Sequence, residues 1–327
     1  MKKPRILVVG SFVMDQTATT EIFPREGQTV LGRKFSKAPG GKGANQAVQA
    51  ARLGADVTMV GKLGHDGNGE ELLNTCRKAG INCDHVLYDE EAASGCAMII
   101  LEQKPGRETA NRIIVIPGAN MTIRKEEVAF LKEKIKEYDL VMLQLEIPME
   151  INELVAGYAY DAGVPVMLNS APSAPLSDEF LSYLAYISPN EHEAADLTGI
   201  TIAHSEDHVD MEAVEKACRI LREKGVRNAL ITLGSGGAAL LNDSGFLVSE
   251  SCRNIKVVDP TAAGDSFVGA FCTAVAAGWQ LEAALKFANH AAAITVTRAG
   301  AMPALPYLAE VKAFMKERQV RLPDMEE

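Results

Sequence analysis

Three features are missing from the sequence, and each absence excludes a class of protein. The six cysteines include no C-x-x-C pair, so neither a zinc site nor a disulfide framework is indicated. Positive charge is scarce, and the formal net charge of −10 disfavours nucleic acid and anionic membranes as partners. The N-terminal apolar run, residues 5–10, is too short for a signal peptide or a membrane span. We therefore expect a cytoplasmic protein that binds neither nucleic acid nor membrane.

Apolar runs that are typical of buried strands alternate with segments of helical periodicity along most of the chain. The strand-like runs are 5–10, 57–60, 140–145, 164–168, 186–187 and 229–233, and helices are predicted over 43–53, 69–79, 124–137, 149–162, 211–224, 267–278 and 281–297. This alternation predicts an α/β fold with a mostly parallel sheet, covered by helices on both faces in three layers. Ligands of such folds bind beyond the carboxyl ends of the strands. The length permits one large domain or two smaller ones, but no linker is evident.

Two segments, about 12–37 and 95–118, interrupt the alternation. They contain strand-like stretches at 29–31, 97–101 and 112–116 but no helical pattern. We expect the two segments to pair as a small antiparallel sheet that forms a lid over a site. The second face of such a sheet needs cover, which predicts a homodimer that pairs lid to lid.

The stretch 257–267 (VVDPTAAGDSF) reads as a strand end followed by a loop that becomes a helix at about Ala263. The first turn of a helix has free N–H groups and the positive end of the helix dipole, so it binds anions. Ala262, Ala263 and Gly264 have almost no side chain to keep a phosphate away. Asp265 beside such a site fits a general base for an alcohol nucleophile, but an acid in a first turn is also a common helix cap.

Polar residues at strand ends and in glycine-rich turns are further candidates. Residues 39–47 (PGGKGANQA) bring backbone N–H groups and Asn45 to a helix start, with an exposed turn as the alternative. Asp15, Glu146, Asn190 and Glu193 each follow a predicted buried strand, where a carboxylate or amide is unusual unless it binds something or caps a helix. Residues 234–239 match the G-x-G-x-x-A dinucleotide pattern, but a strand follows them rather than a helix. An NAD site is therefore rejected, although a glycine loop beside a nucleotide stays open.

Five stretches in the same order resemble the ribokinase-like (PfkB-type) carbohydrate kinases. They are 40–47 (GGKGANQA), 143–146 (LQLE), 188–191 (SPNE), 232–235 (TLGS) and 259–265 (DPTAAGD), and the similarity runs from about residue 5 to residue 314. The resemblance implies one kinase domain over residues 1–327, with a β lid. It also implies ATP-dependent transfer of the γ-phosphoryl group to a sugar hydroxyl, with Mg²⁺ and a monovalent cation such as K⁺ as cofactors.

The resemblance assigns roles residue by residue. Asp265 would be the catalytic base, and Ala262, Ala263 and Gly264 would form an anion hole for the transferred phosphoryl group. The sugar would be held by Val13, Asp15, Gly41, Lys42, Gly43, Asn45, Glu146 and Asp265. The nucleotide would be lined by Asn190, Thr232, Gly234, Ser235, Gly236, Gly237, Gly264 and Asn289, with Glu193 near the magnesium. The monovalent cation would be held, mostly through main-chain carbonyls, by Asp259, Thr261, Thr295, Arg298, Gly300 and Ala304.

Three departures from the family pattern bear on this assignment. Val13 stands where Asn is common, which weakens the case for ribose and favours a deoxy sugar such as 2-deoxyribose as the alternative substrate. Ala304 stands where Ser is usual at the cation site, and Asn289 replaces a His beside the adenine. A pentose kinase, with ribose as its substrate, is the leading hypothesis. Another sugar kinase of the family and a non-catalytic, sugar-binding regulatory protein remain as alternatives.

Overall fold

The computed structural model describes residues 3–103, 110–205 and 208–321. Its strands are β1 Arg5–Val9, β2 Val13–Thr20, β3 Lys34–Gly40, β4 Asp56–Gly64, β5 Asn82–Asp89, β6 Cys96–Glu102, β7 Ala110–Ile116, β8 Leu140–Gln144, β9 Val166–Asn169, β10 Tyr186–Ile187, β11 His204–Ser205, β12 His208–Val209, β13 Asn228–Thr232, β14 Ala238–Asn242 and β15 Gly245–Ser249. Its α-helices are α1 Lys42–Arg52, α2 Gly67–Lys78, α3 Lys125–Val128, α4 Leu131–Lys134, α5 Met149–Asp161, α6 Asp178–Ser182, α7 Glu191–Thr198, α8 Met211–Glu223, α9 Ala263–Ala276, α10 Leu281–Thr295 and α11 Leu308–Glu317. None of the helices within these ranges is both long and apolar enough to cross a membrane.

The described strands form a nine-stranded main sheet in the order β15-β14-β13-β10-β9-β8-β1-β4-β5. All pairs from β13 to β5 are parallel, and only β14 and β15 are added antiparallel at one edge. Every strand-like apolar run of the sequence lies in this sheet. The α/β fold with a mostly parallel sheet is therefore confirmed.

Two separate cores show that helices cover both faces. The side chains of β1 alternate between them: Ile6 and Val8 belong to the core that also contains α1, α9 and α10, whereas Leu7 and Val9 belong to the core that contains α5 and α8. All four side chains are fully buried. Continuous apolar runs are required for strands of this kind because neither face reaches water. The three-layer arrangement therefore follows from the apolar runs themselves.

The lid is a four-stranded sheet in the order β3-β2-β6-β7. The predicted pairing of the two segments is confirmed, but they meet through a parallel pair, β2 with β6, and only the outer pairs are antiparallel. Both strands leave the carboxyl edge of the main sheet, β2 after β1 and β6 after β5, so they run in the same direction. The prediction of a strand at 29–31 is wrong. These residues lie in a loop, where the Leu31 side chain is 91% exposed, and the strand is β3.

Asn120 ties the lid to the main domain. Its side-chain oxygen accepts the N–H of Phe12 (2.9 Å), and its Nδ2 donates to the carbonyls of Phe12 (2.7 Å) and Pro117 (2.8 Å). Phe12 precedes β2 and Pro117 follows β7, so one buried amide joins the first and last strands of the lid in chain order. The same amide packs against Gly95, where an added Cβ would lie 2.3 Å from Nδ2. The position of the lid is therefore set by this amide and by the absence of a side chain at Gly95.

The helix predicted over 124–137 is divided into α3, α4 and a 3₁₀ turn, Ile135–Glu137. Its apolar positions Val128, Leu131 and Ile135 are buried as the period requires. Between them, backbone N–H groups donate to the carbonyl three residues earlier, as the N–H of Lys132 donates to the carbonyl of Ala129. Glu127 at this end pairs with the buried Lys62 (2.9 Å), a tertiary contact that the local periodicity does not contain.

Candidate active site

The loop that leads into α9 has the geometry of an anion-binding helix start. Ala262 adopts φ 60°, which turns the chain into the helix, and offers no side-chain cap. The N–H of Ala263 donates to Pro260 (3.2 Å), whereas those of Gly264 and Asp265 have no acceptor among the residues that the structure describes. A Cβ at Gly264 would meet nothing within 4 Å, so no other group crowds the first turn at this position. Free donors and the helix dipole favour an anion at this point.

A small cavity of about 140 Å³ opens on this helix start. It brings together residues that are far apart in the sequence, and most of them were predicted as site residues. Its lining is Lys42, Asn169, Ala171, Asn190, Glu193, Thr232, Pro260, Ala262, Ala263, Gly264 and Asp265. The carboxyl ends of β9 and β13 and the first turns of α1, α7 and α9 thus meet at one edge of the sheet, as a parallel sheet predicts.

Asp265 is not a helix cap. Its Oδ2 accepts Asn45 Nδ2 (2.8 Å) and its Oδ1 accepts Gln46 Nε2 (3.0 Å), both from α1. The side chain is only 7% exposed, and it borders the cavity. The other amide atom of Asn45, Oδ1, is buried without a partner among the described residues. The carboxylate is therefore held by neutral donors beside an acceptor that still lacks a hydrogen bond.

Lys42 and Glu146 meet at the start of α1. Glu146 accepts the backbone N–H of Lys42 (3.0 Å) and the hydroxyl of Ser11, and that hydroxyl in turn accepts the N–H of Gly43 (3.2 Å). Burial lowers the pKa of Lys42, but Asp265, Glu146 and Glu193 raise it by more, so its amine is positively charged. One cation thus stands among three carboxylates and offsets part of their mutual repulsion.

Two glycines allow this close packing. Gly41 has φ 93°, and a Cβ there would lie 2.6 Å from the N atom of Val13. A Cβ at Gly43 would lie 2.5 Å from the N atom of Ser11. Both positions therefore require glycine, because any side chain would push α1 away from the segment that joins β1 to β2.

Asp15 reaches the site from the lid. It lies on β2 on the same face as Val13, because alternate residues of a strand share a face. Burial, together with the charges of Glu146, Asp265 and Asp259, raises the pKa of Asp15 to about 6. No donor among the described residues reaches this carboxylate. The Val13 side chain is buried, 5% exposed, so the departure from the family pattern replaces an amide with an apolar surface.

The glycine-rich turn after β13 borders a second cavity, of about 210 Å³. Thr232 lines the first cavity, whereas Ser235 and Gly236 line the second, together with His204 and Arg253. The turn ends in Gly237 (φ 92°), where a Cβ would lie 2.1 Å from a carbonyl oxygen, and β14 follows, so a Rossmann helix is absent from this described segment. Gly234, with φ 49°, lines neither cavity.

Asn190 and Glu193 occupy the start of α7. They form a reciprocal capping box: Glu193 accepts the N–H of Asn190 (2.9 Å), and Asn190 Oδ1 accepts the N–H of Glu193 (2.9 Å). Both residues also line the first cavity. Burial raises the pKa of Glu193, against the opposing effects of the Asn190 N–H and Lys42. The cap and a ligand contact are therefore compatible at these two residues.

Asn289 lies apart from both cavities. Its Nδ2 donates to the carbonyl and hydroxyl of Ser249 (3.0 and 2.9 Å) and to the carbonyl of Glu250 (3.1 Å). The side chain is buried on α10 and holds the end of β15. The structure thus gives this amide a structural contact, and its place beside the adenine stays a prediction.

The loop before α9 is joined to the segment after α10. Val258 and Asp259 donate their N–H groups to the carbonyl of Val296 (2.8 and 3.2 Å), and Asp259 accepts the N–H groups of Thr261 and Gly300 (2.9 Å each). Burial raises the pKa of Asp259, but these hydrogen bonds lower it by more, so the carboxylate is ionised.

The side chains of three other predicted cation residues are used elsewhere or are apolar. The Thr295 hydroxyl bonds to Ser266 and Ala291, Arg298 pairs with Glu310, and Ala304 is buried. The oxygen ligands that these positions could offer a cation are backbone carbonyls, the Asp259 carboxylate and the Thr261 hydroxyl. The described residues contain no cluster of three or more His, Cys, Asp or Glu side chains that could hold a metal ion.

Three residues at the site were not identified from the sequence. Gln46 bonds to Asp265, Ser11 to Glu146, and Asn169 lines the cavity at the end of β9. Asn169 follows a predicted buried strand in the same way as Glu146, so the same rule would have found it. Ser11 likewise follows the predicted strand 5–10 directly, whereas Gln46 has no such local signal.

Comparisons with known proteins agree with this geometry. Residues 3–308 match the pfkB family of carbohydrate kinases. A protein named ribokinase from Schizosaccharomyces pombe is 42% identical over 313 residues, which cover 94% of this chain and 96% of that protein. A ribokinase from Bacillus subtilis is 38% identical over 311 residues and covers 95% of this chain and 99% of its own length.

A solved structure of Arabidopsis thaliana ribokinase, described as complexed with ribose and ATP, superposes with a TM-score of 0.86 at 33% identity. The aligned region covers 97% of this chain and 99% of the Arabidopsis chain. The chain therefore belongs to the pfkB family of carbohydrate kinases, enzymes that transfer a phosphoryl group to an alcohol group of a sugar.

Proposed function

We propose that the protein is a ribokinase that transfers the γ-phosphoryl group of ATP to a hydroxyl of ribose. The observation that supports it most is the placement of Asp265: a buried carboxylate, held by two amides, borders the same cavity as the free N–H groups of α9 and Lys42. A base and a set of donors for anionic oxygens are what phosphoryl transfer to an alcohol requires. The relatives named ribokinase supply the substrate class.

In this proposal the sugar lies between the lid and the start of α1. Asp15, Glu146 and the backbone around Gly41 and Gly43 face its hydroxyls, and the unpartnered Oδ1 of Asn45 accepts one of them. Asp265 takes the proton of the attacking hydroxyl. The N–H groups of Gly264 and Asp265 then stabilise the charge that develops on the transferred phosphoryl oxygens, because they are fixed before the reaction starts.

ATP would extend from this cavity along Asn190 and Thr232 towards Ser235 and Gly236 at the second cavity. Lys42, whose amine is positively charged, faces the phosphates from the opposite wall. Mg²⁺ fits the site, because it is usually bound by substrate phosphates, water and one or two carboxylates, and Glu193 provides a carboxylate at the wall. The ion would neutralise charge on the phosphates.

A monovalent cation fits the junction between the loop before α9 and the segment after α10. This junction offers carbonyl oxygens and the Asp259 carboxylate, a donor set that suits a large, weakly hydrated ion such as K⁺. Such an ion would stabilise the loop that carries Ala262–Gly264.

The six cysteines are all free thiols, which supports a reducing, cytoplasmic location.

The protein would also form a homodimer, in which the lids of two copies pair. Register places Phe35, Met98 and Ile114 on the face of the lid opposite Asp15, and these side chains are 61%, 50% and 62% exposed. An apolar sheet face of this kind is typical of an interface. Ile114→Lys is expected to shift the protein from dimer to monomer in light scattering, whereas Leu31→Lys, in the loop outside the sheet, is expected to leave the dimer intact. A monomeric wild-type protein would contradict this part of the proposal.

The activity is tested with purified protein, ATP, Mg²⁺ and a panel of ribose, 2-deoxyribose, fructose, 2-keto-3-deoxygluconate and nucleosides. ADP release and the mass of the product are measured. Ribose is expected to give the highest kcat/KM. Sugar binding by calorimetry without any phosphorylation would instead indicate a regulatory protein, and no turnover with any substrate would overturn the proposal.

Val13 favours 2-deoxyribose as the second candidate substrate, because an apolar side chain beside Asp15 cannot hydrogen-bond a hydroxyl. Val13→Asn is then expected to raise the ratio of kcat/KM for ribose to that for 2-deoxyribose by about 10-fold or more. An unchanged ratio would show that Val13 does not determine this preference.

A further inference from the structure

The Asp265 carboxylate is held by a donor that no substrate can reach. Asn45 binds Oδ2 and is adjacent to the cavity, but Gln46, which binds Oδ1, is 0% exposed. Gln46 Nε2 also lies 3.4 Å from Asn169 Oδ1. Gln46 therefore contacts the proposed base from the side away from solvent, and its contact exists whether or not sugar and nucleotide are bound.

The orientation of the Gln46 amide is fixed by a second glutamine. A carboxylate only accepts hydrogen bonds, so Gln46 must present its NH₂ group to Asp265 and its oxygen to the opposite side. On that side Gln144 Nε2 donates to Gln46 Oε1 at 2.7 Å. Gln144 is fully buried at the end of β8. Its NH₂ group thus favours the orientation of Gln46 that the Asp265 carboxylate requires, while Gln144 Oε1 is buried without a partner among the described residues.

The backbone leaves room for this chain of amides. A Cβ at Gly10 would lie 2.0 Å from Gln144 Oε1, so the glycine at the end of β1 is needed for the side chain of Gln144 to fit. The backbone carbonyl of Gln144 accepts a hydrogen bond from Asn152 Nδ2 (3.0 Å), which lies on α5. The amide chain runs from β8 in the centre of the sheet through α1 to the first turn of α9.

We propose that Gln46 is a positioning residue for Asp265 and that Gln144 keeps Gln46 in the orientation that this requires. The inference rests on the proposed role of Asp265 as the base. With both oxygens bound, the carboxylate cannot rotate, and its remaining lone pairs point in fixed directions, one of them towards the cavity. Geometry of this kind affects the rate of the chemical step rather than the binding of the sugar.

Gln46→Met tests the first part, because Met has nearly the same shape and no donor. Gln49→Met is the matched control: Gln49 is also fully buried on α1, donates to the carbonyl of Pro306 (3.1 Å) and accepts the hydroxyl of Ser266, the neighbour of Asp265. Both variants lose a buried amide, but only one loses a contact with the base. Thermal midpoints, kcat and sugar KM are measured for both and for the wild type.

The expected result for Gln46→Met is a kcat lower by about 10- to 100-fold with a sugar KM within about 3-fold of the wild type. Gln49→Met is expected to lose a similar amount of thermal stability with a kcat within about 3-fold of the wild type. Equal losses of kcat in the two variants, or an unchanged kcat in Gln46→Met, would overturn the inference.

Gln144→Met, alone and combined with Gln46→Met, tests whether Gln144 keeps Gln46 in its orientation. We expect a smaller loss of kcat than for Gln46→Met, and no further loss when both substitutions are combined, because Gln144 acts only through Gln46. Additive losses would contradict this. All variants are assayed with the sugar on which the wild type is most active. A wild type that phosphorylates no sugar removes the proposed function and this inference together, whereas an active wild type with a fully active Gln46→Met removes only the inference.

Discussion

Asp265 and Asp15 are two carboxylates of one site, and their surroundings differ. Asp265 lies on the main domain, and each of its oxygens accepts an amide N–H within 3.0 Å. Asp15 lies on the lid, receives no donor from the described residues, and has other acids as its charged neighbours. The proposed base is thus held by protein donors before any substrate binds, whereas the carboxylate of the lid lacks partners that the hydroxyls of a sugar would supply.

This difference separates catalysis from binding. A buried carboxylate without donors is unfavourable, and the pKa of Asp15 is accordingly raised to about 6, mainly by burial. The hydroxyls of a bound sugar would offset this cost, so we expect a bound sugar to stabilise the lid around Asp15. Substitutions on the main-domain side are therefore expected to change kcat, and substitutions on the lid side are expected to change sugar affinity.

The largest effect is expected from Asp265→Asn. The amide keeps the shape of the side chain but cannot take a proton, so kcat is expected to fall by about 10²- to 10⁴-fold. Sugar affinity, measured by calorimetry, is expected to stay within a few fold of the wild type. Unchanged turnover would reduce Asp265 to a structural residue.

A smaller effect on sugar binding is expected from Asn120→Leu, which removes the amide that ties Phe12 and Pro117 together. The sugar KM is expected to rise by about 3- to 10-fold with kcat nearly unchanged, because Phe12 is followed in the chain by Val13 and, two residues later, by Asp15. The free energy of unfolding is expected to fall by about 2–4 kcal/mol, since the loss leaves buried backbone groups unpaired. Asn228→Leu is the control, because the Asn228 amide donates to the carbonyl of Ala185 at the amino ends of β13 and β10, on the side of the sheet away from the site. An equal rise of KM in both variants would contradict a specific role of Asn120.

The smallest effect concerns stability and pH. The pKa of Asp15 is higher in the folded protein, about 6, than its ordinary value of 3.8, so the native state binds a proton more readily than the unfolded state. The charged form therefore destabilises the fold as the pH rises from about 4 through 6. Asp15→Asn is expected to be more stable than the wild type at pH 8, by at most about 3 kcal/mol, and to lose this advantage at pH 4. Urea titrations at the two pH values measure it, and a pH-independent difference would show that the Asp15 charge is not the cause.

The fold and the location of the site could be predicted because both depend on local signals. Continuous apolar runs identify strands buried on both faces, and the polar residues that end those strands must lie along one edge of the sheet. That rule brings Glu146, Asn190 and Glu193 together, and it also applies to Asn169. The small residues before Asp265 indicate an anion-binding helix start for the same local reason.

The remaining features depend on tertiary contacts. The strand β3 contains two lysines and a proline, and it pairs only because β2 offers a neighbouring edge. Gln46 is an unremarkable polar residue in a helical pattern until α9 places Asp265 against it. The division of the helix at 124–137 likewise accompanies the ion pair between Lys62 and Glu127 across the fold. No window of the sequence contains both partners of these contacts.

The central claim is the division of roles between the two carboxylates, and it is tested most directly by measuring kcat with ATP and ribose, together with the ribose Kd, for Asp265→Asn and Asp15→Asn in parallel. We expect Asp265→Asn to lose kcat by at least about 100-fold with nearly unchanged Kd. Asp15→Asn is expected to weaken ribose binding by about 10-fold or more with a smaller change in kcat. Parallel losses of kcat and affinity in both variants would contradict the account.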